Sequence, residues 1–181
     1  MNERSIQNQI HNYFSGRIYE IPNVYLYDWE SDFISVTRAG YIHEYEIKIS
    51  KSDFNNDAKS KTHKHEVLQG GCRSLKKYEQ SYIDQSIKYD CVEIPRFISD
   101  KLTPDNKIKG HRPNYFWYVC PSELIKEVPE YAGLIYCDHY IKIIKQAPRL
   151  HKEKISSEME KKILSSFYYR YWKLRLEGKA A

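Results

Sequence analysis

The chain has 181 residues, a formal net charge of +5 and 41% apolar residues. This length suits one domain that buries its own core. No run approaches the roughly 18 apolar residues of a membrane span, and the start M-N-E-R-S-I-Q lacks the basic-then-apolar layout of a signal peptide. We therefore expect a cytoplasmic protein without a membrane span.

The first predicted elements are a short helix and a group of strands. Ile6, Ile10 and Phe14 recur every four positions, which predicts an amphipathic helix over residues 3–14. Residues 17–27 are strand-like. In residues 31–51, two β-branched and aromatic runs are divided by R-A-G, which predicts a β-hairpin.

The register of this hairpin brings three polar side chains together. If residues 38–40 form a three-residue loop with Gly40 in the left-handed conformation, Asp32 lies opposite Glu46. Directly opposed residues share a face of the sheet, and Lys48 returns to that face two residues after Glu46. The sequence therefore predicts two carboxylates and an ammonium group at one place.

This combination suits phosphodiester hydrolysis. Asp32 and Glu46 can hold a divalent metal ion, which polarises a phosphate and lowers the pKa of a water molecule. Lys48 can orient the attacking water or offset charge in the transition state. A solvated hairpin with cross-strand ion pairs has the same spacing, so the pattern alone leaves both interpretations open.

A second helix is expected directly after the hairpin. The tetrapeptide S-K-S-D at 50–53 matches a capping box, and the helix should run to about His65. Asp53 and Asp57 lie one turn apart on it. The other charged residues of this helix are compatible with a helix that is exposed to solvent. The H-x-H pattern at 63–65 lacks a third zinc ligand at suitable spacing.

Residues 67–111 are interpreted as an insertion, with a helix over 75–88. They contain Gly70-Gly71, Pro95 and Pro104 and several basic residues. A long irregular segment in a compact domain is usually functional or mobile. The segment either covers the cleft or binds DNA, or it packs without a role in catalysis.

The C-terminal third continues as strand, helix, strand and helix. We expect a buried strand over 114–120, a short helix over 122–127, a strand over 131–136 and a last helix over 155–177. This order predicts an α/β fold with the hairpin at one side of the sheet. The expected inner stripe of the last helix is Ile155, Met159, Ile163, Phe167, Tyr171 and Leu174.

The rest of the last helix mixes basic and aromatic side chains. They either stack on nucleotide bases and contact phosphates or pack against the sheet. Charge is also uneven along the chain, since residues 1–47 carry three basic and seven acidic side chains and residues 142–181 carry eleven basic and four acidic ones. An acidic pocket beside a basic surface is typical of proteins that act on nucleic acids. The four cysteines lack CxxC spacing and are interpreted as reduced thiols.

Three blocks carry a resemblance to a known family. They are E-I-K-I-S-K-S-D-F-N-N-D-A-K at 46–59, P-N-Y-F-W-Y-V-C-P at 113–121 and Y-A-G-L-I-Y at 131–136. Together with Asp32 they resemble the PD-(D/E)XK nuclease superfamily, and more narrowly the MmcB-type DNA-repair nucleases and their phage-borne relatives. Residues 67–111 depart from that pattern. A phage-encoded protein would act in the host cytoplasm.

The resemblance implies a restriction-endonuclease-like core, in which a mixed β-sheet is flanked by helices, and Mg²⁺-dependent cleavage of DNA. Mn²⁺ can substitute. The implied metal ligands are Asp32, Glu46, the backbone carbonyl of Ile47 and, from the first helix, Glu3. The presence of Glu3 is explained equally well as an ordinary negative charge near a helix N-terminus. The implied supporting residues near the phosphate or the metal are Ser52, Asp53, Asp57 and Lys59. The DNA contacts expected from charge and position are Lys51, Lys61, His65, Arg73, Lys76, Lys77, Lys161 and Lys162.

The sequence thus predicts a metal-dependent nuclease, with Asp32, Glu46 and Lys48 as its catalytic residues. A binding module of the same fold that does not cleave is the first alternative. A structural partner in a repair or packaging complex is the second. The sequence is compatible with a homodimer, and it does not specify strandedness, endo- or exonuclease action, or oligomeric state.

Overall fold

The structure is a computed structural model that describes residues 1–73, 75–89, 93–104, 108–109 and 111–178. The helices are α1 (Glu3–Tyr13), α2 (Lys51–Ser60), α3 (Thr62–Leu68), α4 (Lys77–Tyr89), α5 (Arg96–Ser99) and α6 (Ser157–Leu176). The strands are β1 (Arg17–Val24), β2 (Ser31–Thr37), β3 (Ile42–Ile47), β4 (Cys72–Arg73), β5 (Ile108–Lys109), β6 (Tyr115–Cys120), β7 (Ala132–Cys137) and β8 (Ile141–Lys145). Within these ranges, no helix has the length and apolar character needed to cross a bilayer.

Six strands form one mixed sheet in the order β1-β2-β3-β6-β7-β8. The pairs β3–β6 and β6–β7 are parallel, and the other neighbours are antiparallel. Parallel neighbours need a long crossover, and the chain from β3 to β6 supplies one that contains α2 to α5. The α/β prediction of a mixed sheet flanked by helices is confirmed at this level. β8 is a strand that the sequence analysis does not predict.

The hairpin loop has the predicted form. The backbone N–H of Thr37 donates to the carbonyl of Tyr41 at 2.9 Å, and Gly40 has φ +84°. A side chain at Gly40 would be strained in this left-handed conformation. The loop therefore fixes the register of β2 against β3.

The register is the predicted one, but the hairpin lies inside the sheet. Phe33 pairs with Tyr45, so the next position places Asp32 opposite Glu46. β1 pairs with the outer side of β2, and β6 pairs with the far side of β3. The hairpin therefore lies on one side of the six-stranded sheet, with β1 as an antiparallel edge strand outside it.

The two faces of β3 have different environments. Tyr45 and Ile47 pack with Ile6 and Ile10 of α1 in an apolar cluster. Glu46 lies on the opposite face, which α2 and α3 cover. Polar side chains of the central strand are consequently enclosed between the sheet and these two helices.

The predicted second helix is two helices. Its start is confirmed, since the Ser50 hydroxyl accepts the backbone N–H of Asp53 at 3.1 Å. Lys61 leaves helical geometry with φ −113° and ψ +39°, so α2 ends before it and α3 begins at Thr62. Val67 and Leu68 complete α3 in the core, so the first two residues of the expected insertion belong to this helix.

The helix predicted over 122–127 is absent, and these residues form turns. Glu123 has φ +62°, which no α-helical residue adopts. The preceding backbone N–H, at Ser122, donates to the Asp138 carboxylate at 3.1 Å. This hydrogen-bonded turn stands where the helix was expected, between β6 and β7.

The expected inner stripe of α6 is wrong in its second half. Ile163 is fully buried against β1 and β2, and Ile155 and Met159 are half-buried beside it. The later stripe residues Phe167 and Tyr171 are exposed, as is Leu174. The helix keeps its amphipathic spacing beyond the point where the sheet offers a surface to cover it.

The cysteines in the described ranges are free thiols. Cys120 and Cys137 are buried in β6 and β7, and burial raises the pKa of each to about 11. They are therefore protonated packing residues. Cys91 lies outside the described residues.

Candidate active site

Glu46 is the centre of the site and is fully buried. Its Oε1 accepts from Lys48 Nζ at 2.9 Å and from Lys61 Nζ at 2.7 Å, and its Oε2 accepts from Lys64 Nζ at 2.5 Å. Burial alone would raise the pKa of Glu46, but these ammonium groups, Lys64 first among them, hold it below its ordinary value. Glu46 is therefore a carboxylate at neutral pH.

Lys48 joins Glu46 to α2. Its ammonium group donates to Asp57 Oδ1 at 2.9 Å and lies 3.6 Å from Asp53 Oδ1. Burial lowers the pKa of Lys48, but Glu46 and Asp57 outweigh it and keep the pKa above its ordinary value. Lys48 is thus protonated, so it can stabilise negative charge or orient a water molecule, and it cannot accept a proton as a base.

Lys64 is a third lysine of the site, and the sequence analysis missed its role. Its side chain is fully buried, and Nζ lies 3.0 Å from Glu44 Oε1 in addition to its contact with Glu46. The ammonium group also lies over the rings of Phe116, at 4.8 Å, and Trp29, at 5.7 Å. Burial lowers the pKa of Lys64, but Glu44 and Glu46 reverse the direction and raise it.

A second chain of contacts leads from Asp57 towards the surface. Tyr118 Oη donates to Asp57 Oδ2 at 3.1 Å, and His65 Nε2 lies 3.0 Å from the same oxygen without hydrogen-bond alignment. Tyr131 Oη lies 2.8 Å from His65 Nδ1, and burial raises the pKa of Tyr131 to about 12. His65, predicted to contact DNA, is instead buried in this network.

Asp32 differs from the other three carboxylates. Its Oδ2 accepts the backbone N–H of Ile47 at 2.7 Å, and no ion pair to it occurs among the described residues. Burial, followed by the charge of Glu46, raises the pKa of Asp32 to about 7. Asp32 is therefore a carboxylate that a nearby cation would stabilise.

Glu3 lies at the same end of β2. Its Oε1 accepts from Gln7 Nε2 at 2.9 Å and from Asn23 Nδ2 at 2.8 Å. Gln7 Nε2 also donates to the backbone carbonyl of Asp32 at 2.9 Å. The first helix thus places Glu3 near Asp32, as the sequence predicts, but one of its oxygens is bound by two amides.

The donor set fits a divalent metal ion in part. Glu44, Glu46 and Asp57 contact the ammonium groups of three lysines, which leaves Asp32 as the carboxylate in excess. Oxygen donors of this kind suit Mg²⁺. The described residues contain no group of three acidic, histidine or cysteine side chains arranged for a metal. A metal ion would thus depend on Asp32, one Glu46 oxygen and the Ile47 carbonyl.

The remaining predicted residues lie outside this cluster. Ser52 Oγ is 3.0 Å from the cap residue Ser50, and Lys51, Lys59, Lys77 and Lys161 are exposed. Lys76 pairs with Asp28 at 2.9 Å and Lys162 with Glu158 at 3.4 Å. The side chain of Arg73 lies outside the described residues.

A sequence signal for the missed residues exists in the helical spacing. Asp57, Lys61, Lys64 and Leu68 follow one another at three- and four-residue steps, so they can share one face. Leu68 indicates that this face is buried. Glu44 could have been found from its alternation with Glu46, which places both on the same face of β3.

Comparison with known proteins gives the fold and no function. The scan against protein-family models and the search of curated proteins give no match. Among solved structures, the chain is similar to the SPO1766 protein of unknown function from Silicibacter pomeroyi, with a TM-score of 0.52 and 15% identity over 98% of this chain and 90% of that one. At this identity the likeness shows a shared fold alone.

Proposed function

We propose that the protein is a metal-dependent DNA nuclease with a restriction-endonuclease-like core of the PD-(D/E)XK type, acting in the cytoplasm in DNA repair, recombination or phage DNA processing. One observation carries the proposal. Asp32 lies opposite Glu46 on adjacent strands as a half-buried carboxylate in excess of the lysines, and Lys48 Nζ lies 2.9 Å from Glu46.

The residues have separable roles in this proposal. Asp32, Glu46 and the Ile47 carbonyl would hold Mg²⁺ or Mn²⁺, which would polarise the phosphate and lower the pKa of a water molecule. Lys48, kept protonated by Glu46 and Asp57, offsets the charge that develops on the phosphate. Glu3 would add a further ligand to the metal ion through its other carboxylate oxygen, Oε2.

Lys61 has a particular place in this scheme. Its side chain is 36% exposed, whereas those of Lys48 and Lys64 are buried. It is therefore the ammonium group that can leave Glu46 without opening the core. Once released, it is positioned to contact a DNA phosphate, which is the role predicted from the sequence.

Cleavage assays on circular substrates test the proposal. Circular single-stranded, circular duplex and branched DNA are incubated with Mg²⁺ or Mn²⁺, and loss of closed circles reports endonuclease action. Asp32→Asn and Glu46→Gln should each remove metal binding and cleavage together. Asp84→Asn, an exposed carboxylate on α4, is the matched control and should retain full activity. Full activity in either site variant would refute the assignment.

A non-catalytic nucleic-acid-binding module of the same fold is the second candidate. The observation that favours it is the engagement of both Glu46 oxygens by lysines, which leaves little room for a metal ion. This candidate predicts DNA binding that is independent of divalent metal and no hydrolysis of any of the three substrates.

A further inference from the structure

The second half of α6 presents an unusual surface. Residues 161–175 contain five basic side chains, five aromatic ones and no acidic one. Among residues 161–175, Ile163 is fully buried, whereas Tyr168 and Tyr169 are exposed. The fold therefore holds a basic, aromatic helix face that its own core does not use.

This face lines a shallow groove against the segment that follows β1. Two adjoining depressions of about 770 Å³ and about 540 Å³ share Asn23 and Arg170 in their walls. Lys161, Ser165, Tyr169 and Lys173 recur at four-residue steps along the α6 wall of the groove. Lys162 and Glu158 also line it, and they pair with each other at 3.4 Å. Tyr25 lines the opposite wall and is 67% exposed.

Hydrogen bonds connect the groove to Asp32, the carboxylate in excess of the lysines. Arg170 Nη2 donates to the backbone carbonyl of Asn23 at 2.6 Å, and Gln7 Nε2 donates to Asn23 Oδ1 at 3.0 Å. The same Gln7 amide donates to the backbone carbonyl of Asp32. A strand lying in the groove would therefore pass beside the Asp32 end of β2.

We propose that this groove binds single-stranded DNA, with bases stacked on Tyr169 and Tyr25 and phosphates held by the lysines of α6. The inference deepens the proposed nuclease function by naming its substrate class, and it rests on that function for the choice of DNA. Exposed aromatic rings between cations bind unstacked bases, whereas the bases of a duplex are stacked inside it and cannot reach the rings.

The charge of α6 argues against two other occupants. Pairing of the groove with the same groove of a second copy would bring four lining cations, Lys161, Lys162, Arg170 and Lys173, against the same four cations, which outnumber the acidic lining residues Glu158 and Glu177. A membrane-binding helix would insert an apolar face. The exposed Phe167 and Tyr171 of α6 do not line the groove, so an occupant of the groove meets Tyr169 and the lysines instead. Here Tyr169 lies in the basic groove, whereas Tyr168, Tyr171 and Trp172 make ring contacts with one another or with Tyr169.

Fluorescence anisotropy in EDTA tests the inference. The full chain is titrated into a labelled 20-nucleotide oligo-dT strand and into a 20-base-pair duplex, and the single strand should bind more tightly. Tyr169→Ala should raise the Kd for the single strand about tenfold and change the duplex Kd less than twofold. Tyr169→Phe keeps the ring and should bind normally. Tyr140→Ala is the matched control, because Tyr140 is equally exposed on the β7–β8 turn.

Charge variants give a second, independent measurement. Lys161→Gln with Lys162→Gln should weaken binding and flatten the slope of log K against log salt by about 1.4 for the single strand, since each lost phosphate contact is worth about 0.7. Unchanged single-strand affinity in Tyr169→Ala, or a duplex bound as tightly as the single strand, would overturn the inference. So would Tyr169-dependent binding to phosphatidylserine vesicles without DNA binding, or Tyr169-dependent dimerisation.

The two proposals can fail separately. Tyr169-dependent binding of single strands without hydrolysis in Mg²⁺ would remove the nuclease function and leave the groove assignment intact. Metal-dependent hydrolysis of DNA with a KM that is unchanged in Tyr169→Ala would remove the groove assignment and leave the nuclease function intact.

Discussion

Replacing Asp32 with asparagine should stabilise the fold when no metal is bound. The pKa of Asp32 is raised from 3.8 to about 7 in the folded protein, so the native state is penalised as pH rises from about 4 through 7. One pKa unit corresponds to about 1.4 kcal/mol, so the penalty has an upper limit of about 4 kcal/mol above pH 7. Asparagine is neutral, and its oxygen can still accept the N–H of Ile47.

The advantage of Asp32→Asn should therefore depend on pH. At pH 5 the carboxyl of the folded protein is already largely protonated, and part of the penalty is relieved. We expect the gain in the free energy of unfolding to be larger at pH 8 than at pH 5 by about 2 kcal/mol, allowing for the charge shared with Glu46.

Urea unfolding in EDTA at pH 5, 6, 7 and 8 measures this difference. Asp84→Asn should show no such dependence on pH, because Asp84 is exposed. Added Mn²⁺ should stabilise the wild type and not Asp32→Asn, since a ligand that binds only the native state raises its stability. If Asp32→Asn were less stable than the wild type at pH 8 without metal, the carboxylate would not be in excess and the reasoning would be wrong.

Three further substitutions test other parts of the structure. Lys48→Ala should lower kcat at least 100-fold, about 3 kcal/mol of transition-state stabilisation, with DNA affinity nearly unchanged in binding assays; an equal loss of affinity would make Lys48 a phosphate anchor. Lys64→Met should cost about 3–5 kcal/mol in urea unfolding because it breaks buried ion pairs, whereas the exposed Lys59→Met should stay within about 0.5 kcal/mol; similar values for both would contradict the burial of Lys64. Gly133→Ala should lower the melting temperature, because its Cβ would lie 2.4 Å from Trp117 Cε3, and an unchanged Tm would contradict this packing.

The features that the sequence predicted correctly depend on neighbours in the chain. The register of β2 against β3 follows from a three-residue loop and from Gly40, which are local properties. The start of α2 follows from the Ser50 side chain and a backbone N–H three residues later. Such interactions can be inferred without knowing what lies across the sheet.

The features that it missed depend on distant elements. Lys64 is buried because β6 brings Phe116 beneath it and β3 brings Glu46, although the three are far apart in sequence. The amphipathic spacing of α6 indicates an apolar face, but whether that face is covered depends on how far β1 extends. Helical spacing therefore predicted Ile163 correctly and Tyr171 wrongly.

Variants of the buried pair Glu44 and Lys64 can distinguish a structural role of this pair from a catalytic one. Glu44 Oε1 is bound by Trp29 Nε1 at 2.8 Å and by Lys64, while its Oε2 is buried without a hydrogen-bond partner in the described structure. Combining Glu44→Gln with Lys64→Met should therefore recover about 1–3 kcal/mol relative to Lys64→Met alone, because no unpaired charge is left on Glu44.

Cleavage by the same double variant shows what the pair contributes beyond stability. Glu46 keeps Lys48 and Lys61 on Oε1 but loses the ammonium group of Lys64 on Oε2. If the pair is structural, the recovered protein should cleave DNA at close to the wild-type rate. A double variant as stable as the wild type but inactive would instead mean that Lys64 fixes the orientation of Glu46 for catalysis, and a double variant no more stable than Lys64→Met would refute the coupling of the two residues.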